Sequence, residues 1–295
     1  MYSELIKLLQ NYTYHSELRT VVAGGALRDI DHGLRPKDID LFILLEPDRY
    51  GLEPDQFQNA IDIYLEDFVS LNMYDDFRER NLRIVRQEEN VPEEYRDNLG
   101  GSAFRVVDYA LYSEEAYQIM IQLIFYDPTR IPDYEPVNSL GEAGRQILKS
   151  FDLSTSMIFS YPVPNGNGFD SDFTYKLVKH PSYKLSKETK VVFPRSVNPT
   201  EKTRQRMFNH SHKLRYGQAI CGENETPEQF RDRLILLGEQ HQRNLINREM
   251  EAIRARQRAA MNQTAFVNRY GRLNVNAANT PAWVNNAAGL WGNRT

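Results

Sequence analysis

Residues 19–45 read RTVVAGGALRDIDHGLRPKDIDLFILL, and this stretch decides the fold. Arg19 to Ala23 is a β-rich run that stops at the Gly24-Gly25 pair, and Ala26 to His32 reads as a helix closed by Gly33. After Pro36 the run Ile39–Leu45 predicts a second strand beside the first, ending before Pro47. Asp38 and Asp40 open that strand two residues apart, so their carboxylates share one face. Two anions side by side repel, and the pairing is sensible where divalent cations sit between them. Two magnesium ions about 3.5–4 Å apart can activate an attacking hydroxyl and neutralise a leaving pyrophosphate. The glycine pair fits the same chemistry, because residues without a β-carbon let backbone N–H groups approach phosphate oxygens at a helix N-terminus. Arg28, one turn into the helix, would add bidentate hydrogen bonds to a triphosphate, with Asp29 orienting it or the loop. Alone, Asp-x-Asp reads as two solvated carboxylates and Gly-Gly as a turn. In this order along strand, turn, helix and strand, they point to phosphoryl or nucleotidyl transfer.

The rest of the composition bounds the reading. The chain has 295 residues, 41% hydrophobic and 26% charged, as expected of a folded chain rather than a disordered one. Its 36 Lys and Arg against 40 Asp and Glu exclude a uniformly basic binder, so any nucleic-acid surface must be local. The only cysteine is Cys221, which excludes an intramolecular disulfide and a Cys-rich zinc module and suggests a reducing compartment. The opening MYSELIKLLQNY lacks signal-peptide pattern, and no apolar run approaches the roughly 20 residues of a membrane span. A cytoplasmic protein without membrane contact is expected.

Leu5, Ile6, Leu8 and Leu9 predict a short opening helix, and residues 54–73 a longer one with Phe57, Ile61, Tyr64, Leu65 and Phe68 on one face. The runs Ser102–Tyr112 and Tyr117–Tyr126 suit an antiparallel hairpin. Residues 128–141 read as loop, and a helix near 142–150 leads into Phe151-Asp152-Leu153-Ser154. From Lys176 to Arg215 eleven cations face only Glu188 and Glu201. Within that segment Lys202, Arg204, Arg206, Lys213 and Arg215 interleave with Phe208 and Tyr216, the mixture that grips phosphates and stacks bases. A solvated helix face is the plainer alternative. His210 and His212 are at i and i+2, the wrong spacing for two zinc ligands on one helical face. Thr226-Pro227-Glu228-Gln229 predicts the start of a long helix running towards Asn262. Beyond it, residues 263–295 lack Asp and Glu and hold Trp283 and Trp291, a tail suited to docking on a protein partner or a second copy. The expected organisation is a catalytic domain over 1–160, a basic, mainly helical region over 161–262 and a tail over 263–295.

Gly24, Gly25, Arg28, Asp29, Gly33, Pro36, Asp38 and Asp40 stand at the spacing of the signature of class II tRNA nucleotidyltransferases and bacterial poly(A) polymerases. The segment resembles that family, within the DNA polymerase β-like nucleotidyltransferase superfamily. The resemblance implies an α+β fold, a mixed sheet with helices followed by a mainly helical C-terminal region. It implies two Mg2+ ions on Asp38 and Asp40, and a nucleoside triphosphate at Gly24, Gly25, Arg28 and Asp29 as the source of the transferred nucleotide. Asp152 reads either as a further nucleotide contact or as a helix-end carboxylate, because Phe151-Asp152-Leu153-Ser154 only faintly resembles the family's Arg-Arg-Asp-Phe-Thr. Asp31 and His32 replace the family's apolar pair before Gly33, and no downstream Glu-Asp-x-x-Arg element is found. Gln122 occupies the strand position where superfamily relatives carry a third carboxylate, leaving Asp108 as a substitute or as an exposed hairpin residue. The expected activity is metal-dependent transfer of a nucleoside monophosphate to an acceptor hydroxyl, an RNA 3′ end, with pyrophosphate release. A protein or small-molecule acceptor, and a noncatalytic RNA-binding protein, are the alternatives.

Overall fold

The two longest apolar runs of the first half pair with each other at the centre of a sheet, as runs buried on both faces do. Strand β2 (Asp38–Leu44) lies parallel to β5 (Ala116–Tyr126), in the register Asp38 to Met120, Asp40 to Gln122 and Leu44 to Tyr126. On one side of this pair β5 continues antiparallel into β4 (Ala103–Ser113) and β3 (Leu82–Arg86). On the other, β2 pairs antiparallel with β1 (Arg19–Ala23), which leads to β6 (Ile158–Pro164) and β7 (Phe173–Lys179). The seven-stranded order is β3-β4-β5-β2-β1-β6-β7, and the fold is α+β. The computed structural model describes residues 2–15, 19–45, 54–87, 103–114, 116–126, 137, 139–164 and 173–271.

Helices cover the sheet where their apolar stripes require it. Leu5, Ile6 and Leu9 of α1 (Tyr2–His15) are buried, as are Ile61, Tyr64, Leu65 and Phe68 of α3 (Pro54–Ser70). Phe68 meets Tyr109 edge-on at 4.9 Å between ring centroids. The helix expected over 54–73 ends at Ser70 and tightens into a 3-10 turn over Leu71–Met73. Between β1 and β2 stands α2 (Gly25–Asp31), and α4 (Asp75–Glu79) precedes β3. Helix α5 (Leu140–Lys149) presses close to β6: a Cβ on Gly144 would lie 2.0 Å from the Phe159 ring. The loop expected over 128–141 falls mostly outside the described residues.

Strands β6 and β7 carry the sheet past residue 160, to Lys179. Neither was expected from the sequence, because β6 holds Pro162 and Pro164 and β7 places Lys176, Lys179 and a half-exposed Leu177 on the outermost strand. The chain then forms α6 (Pro181–Thr189), α7 (Glu201–Leu214) and a small parallel pair, β8 (Val191–Val192) with β9 (Gly217–Gln218). Two small apolar clusters hold these pieces, one around Leu153, Val192, Met207, Leu214 and Tyr216, the other around Val191, Phe193 and Leu234. The last helix, α8, spans Pro227–Gly271, and its capping box forms as expected. Gln229 N–H donates to Thr226 Oγ1 at 3.2 Å, and Thr226 N–H donates to Gln229 Oε1 at 2.9 Å.

The chain divides into two compact units, residues 1–239 and 240–295. The first holds the sheet with Asp38 and Asp40. The second is described as helix to Gly271, with Ile246, Met250 and Ile253 exposed. Trp283 and Trp291 lie outside the described residues. Among the described residues no helix is long and apolar enough to cross a membrane.

Candidate active site

The turn after β1 is made possible by Gly24, whose backbone adopts φ 84° and ψ −129°, a combination open to glycine and strained for other residues. Its N–H donates to Ile158 O at 2.9 Å, tying the turn to β6. The turn folds over both carboxylates. A Cβ on Gly24 would lie 3.9 Å from Asp40 Oδ2 and 3.3 Å from Phe151. One on Gly25 would lie 4.0 Å from Asp38 Oδ1 and 3.8 Å from Arg28 Nη2. The expected phosphate-binding turn, the arginine and the carboxylate pair are therefore one constellation in space.

Asp40 is the unusual member. Its Oδ1 is buried and has no hydrogen-bond partner among the described residues. Burial, then the neighbouring charge of Asp38 and a further contribution from Asp108, push its pKa up to about 8, against the pull of Arg206 and Arg28. Asp38 is more open, its side chain 30% exposed, and its nearest cation is the solvent-exposed Lys37 at 3.9 Å. Such a pair is screened by water and neutralises little. Across the sheet Asp40, Gln122 and Asp108 stand in one row, and Gln122 Nε2 donates to Asp108 Oδ1 at 2.9 Å. Among the described residues no three His, Cys, Asp or Glu side chains converge as a metal cage, so the protein offers two carboxylates. That donor set suits magnesium, which keeps several waters and takes one or two carboxylates plus substrate phosphates. The unpartnered, buried Oδ1 is the atom that a cation would satisfy.

The other aspartates of the region are neutralised by the protein itself. Asp29, almost fully buried, accepts from Arg28 Nε at 2.8 Å and pairs with Arg28 Nη2 at 2.7 Å and Lys213 Nζ at 2.5 Å. Asp31 meets Lys179 and Lys187, each at 2.7 Å, and accepts from the Tyr183 hydroxyl at 2.8 Å. Burial raises the Asp31 carboxyl, but these donors outweigh it and hold the pKa down at about 2. Asp152 pairs with Arg206 at 2.8 Å and accepts from Thr203 Oγ1 at 3.0 Å. It also borders a cleft of about 670 Å³ lined by Phe151, Arg195, Asn198, Thr200 and Thr203. The ring of Phe151 lines this cleft and stands beside Gly24, which places Asp152 close to the constellation.

Of the five cations expected to grip a polyanion, Arg206 and Lys213 instead face Asp152 and Asp29, while Lys202, Arg204 and Arg215 are exposed. Sequence reasoning missed Thr203, Thr155 and His210. Thr203, Arg206, His210 and Lys213 recur at three- and four-residue spacing on α7, the one signal that could have shown a polar face turned inward. The unusual Asp31-His32 pair also finds its partners here. His32 lies 2.7 Å from the hydroxyl of Tyr216, so both polar residues are received by the chain beyond residue 175.

No family model matches the chain, and no curated protein matches it. Among solved structures it is similar to a tRNA-processing enzyme in its apo form, at 13% identity over 74% of this chain and 43% of that one, with a TM-score of 0.41. A CCA-adding enzyme bound to ATP aligns at 12% identity over 74% and 40%, with a TM-score of 0.42. A tRNA nucleotidyltransferase bound to a primer tRNA and an ATP analogue aligns at 14% over 81% and 51%, with a TM-score of 0.35. The chain spans between two fifths and about half of their lengths. At these identities and scores the site stands on its own geometry.

Proposed function

We propose that the chain is a metal-dependent nucleotidyltransferase that moves a nucleoside monophosphate from a nucleoside triphosphate to an acceptor hydroxyl. The observation that carries the reading is the closure of the Gly24-Gly25 turn over Asp38 and Asp40, with would-be Cβ atoms 3.9 and 4.0 Å from the two carboxylates. A turn held by a positive φ at Gly24, beside a carboxylate with a buried and unpartnered oxygen, suits a phosphate chain carrying divalent cations.

In this reading the triphosphate lies against the turn, Arg28 donates to its oxygens, and Asp38 and Asp40 hold magnesium. The metal, when bound, neutralises the phosphates and activates the attacking oxygen. Asp29 keeps Arg28 aimed through its double contact. The cleft beside Phe151 and Asp152 takes the nucleoside. The acceptor oxygen bonds to the α-phosphorus, the bond to the β-phosphate oxygen breaks in line, pyrophosphate leaves and the hydroxyl proton passes to solvent. Positioning and electrostatics supply most of the rate in such chemistry. The acceptor we favour is an RNA 3′ end, drawn by the exposed Lys202, Arg204 and Arg215.

The test is to incubate the protein with each labelled ribonucleoside triphosphate, magnesium and total RNA. Label entering RNA in wild type but not in Asp40→Asn is the expected result. Label entering protein or a small molecule instead would keep the chemistry and replace the acceptor. Label remaining free in every reaction would leave the proposal without support and favour a noncatalytic binding role.

A further inference from the structure

His210 sits on α7 facing Arg28, 182 positions earlier in the chain. Its Nε2 lies 2.9 Å from Arg28 Nη1, and its Nδ1 lies 2.7 Å from Thr155 Oγ1. Nη1 also lies 3.2 Å from Nδ1. A guanidinium can only donate, so a ring nitrogen accepts from it and the ring is neutral, while Thr155 Oγ1 donates to Nδ1 or accepts from it according to the tautomer. The opposite edge of the same guanidinium is occupied by Asp29, which takes Nε and Nη2, while Lys213 holds the second oxygen of Asp29. Arg28 is thus fixed on two edges. Its Nη2 points towards the turn, 3.8 Å from where a Cβ on Gly25 would stand.

We propose that His210, as a neutral imidazole, is a positioning residue that fixes the plane of Arg28, so that its remaining donors meet the triphosphate of the incoming nucleotide. Resting on the nucleotidyl-transfer reading, the proposal adds to it a residue that the glycine and aspartate pattern does not contain. Neutrality is required, since an imidazolium would present N–H to N–H against Arg28. The surroundings enforce it: burial first, then the positive charges of Arg28 on α2 and of Arg206 and Lys213 on α7, drive the imidazole pKa well below its ordinary value. The remaining neighbour, Thr155, is uncharged, and its hydroxyl hydrogen-bonds Nδ1 at 2.7 Å. An arginine hydrogen bond of this kind is worth about tenfold in the affinity of the ligand it aims at.

The experiment uses the full chain and measures Mg2+-dependent binding of ATP, CTP, GTP and UTP by calorimetry, alongside binding of Mn2+ alone. His210→Ala is expected to weaken binding of the preferred nucleotide about tenfold and leave Mn2+ affinity unchanged. His210→Gln, whose Oε1 restores an acceptor near Nε2, should recover most of the loss. In 15N spectra of the imidazoles, the signal absent from His210→Gln should report a neutral ring at pH 7. Unchanged nucleotide affinity in His210→Ala would overturn the proposal while leaving the reaction reading intact. So would a charged ring, or equal loss of nucleotide and Mn2+ binding in both variants. If wild type binds no nucleotide, the reaction reading fails and this proposal falls with it.

Discussion

Asp31 and Asp40 stand on adjoining elements at the two ends of one connection, and the protein treats them in opposite ways. Asp31 is enclosed by Lys179, Lys187 and Tyr183 and is held at a pKa of about 2, whereas Asp40 has an unpartnered oxygen and is pushed to about 8. The cations of the C-terminal region that approach the site go to Asp29, Asp31 and Asp152. Under the proposed function, the carboxylate pair on β2 is left to a cation from outside. A carboxyl that a fold leaves unpaired is costly to ionise, and its place beside a glycine turn is what the proposed function rests on.

Changing Asp40 tests this difference with the largest expected effect. Asp40→Asn or Asp38→Asn should lower transfer on the order of a thousandfold, measured as labelled nucleotide incorporated under magnesium. Stability should move the other way. A carboxyl raised from 3.8 to about 8 costs stability progressively as pH rises through that window, because only the unfolded chain ionises freely there. Metal-free Asp40→Asn should therefore melt at or above wild type at pH 8, and a clear loss of stability would show that Asp40 is structural.

Asp31 should behave inversely. Its depressed pKa contributes stability that is fully present above about pH 3.8 and is lost as pH falls towards 2. Asp31→Asn should cost about 2 kcal/mol near pH 7 and flatten the acid limb of a urea-denaturation series. The cations allow a smaller version of the same contrast. Arg206→Gln and Lys213→Gln should each destabilise by about 1 kcal/mol, since the first uncovers the partly buried Asp152 and the second the almost fully buried Asp29. The triple change of Lys202, Arg204 and Arg215 to Gln should stay within about 0.5 kcal/mol of wild type. If those three touch RNA, it should reduce the salt dependence of RNA affinity by about one unit per lost contact. Equal thermal shifts in the two groups would erase the distinction between the cations that meet Asp152 and Asp29 and the other three.

The part of the fold that was legible is the part written locally. Arg19–Ala23, the glycine pair, α2 and β2 are each bounded by Gly or Pro and have a clear hydrophobic pattern, and the structure reproduces them within a residue or so. The hairpin of β4 and β5 was equally plain. Strands β6 and β7 were not, because prolines and lysines on edge strands look like loop when no pairing partner is in view. The candidate site divides the same way. Asp38, Asp40 and the glycines follow from spacing within one unit of chain. His210, Thr155 and the pairing of Arg206 with Asp152 depend on α7 docking across long sequence separations, and no local pattern encodes that. Asp31 and His32 looked like departures from a family pattern until their partners, Lys179, Lys187 and Tyr216, came into contact with them.

The central claim is that Asp38 and Asp40 hold a divalent cation together with the triphosphate. The most direct measurement is Mn2+ binding followed by electron paramagnetic resonance, in wild type and in the Asp38→Asn, Asp40→Asn double variant, with and without a nonhydrolysable ATP analogue. The account predicts Mn2+ bound by wild type, tightened by the analogue, and lost from the double variant in both conditions. Equal Mn2+ binding by the two proteins would contradict it.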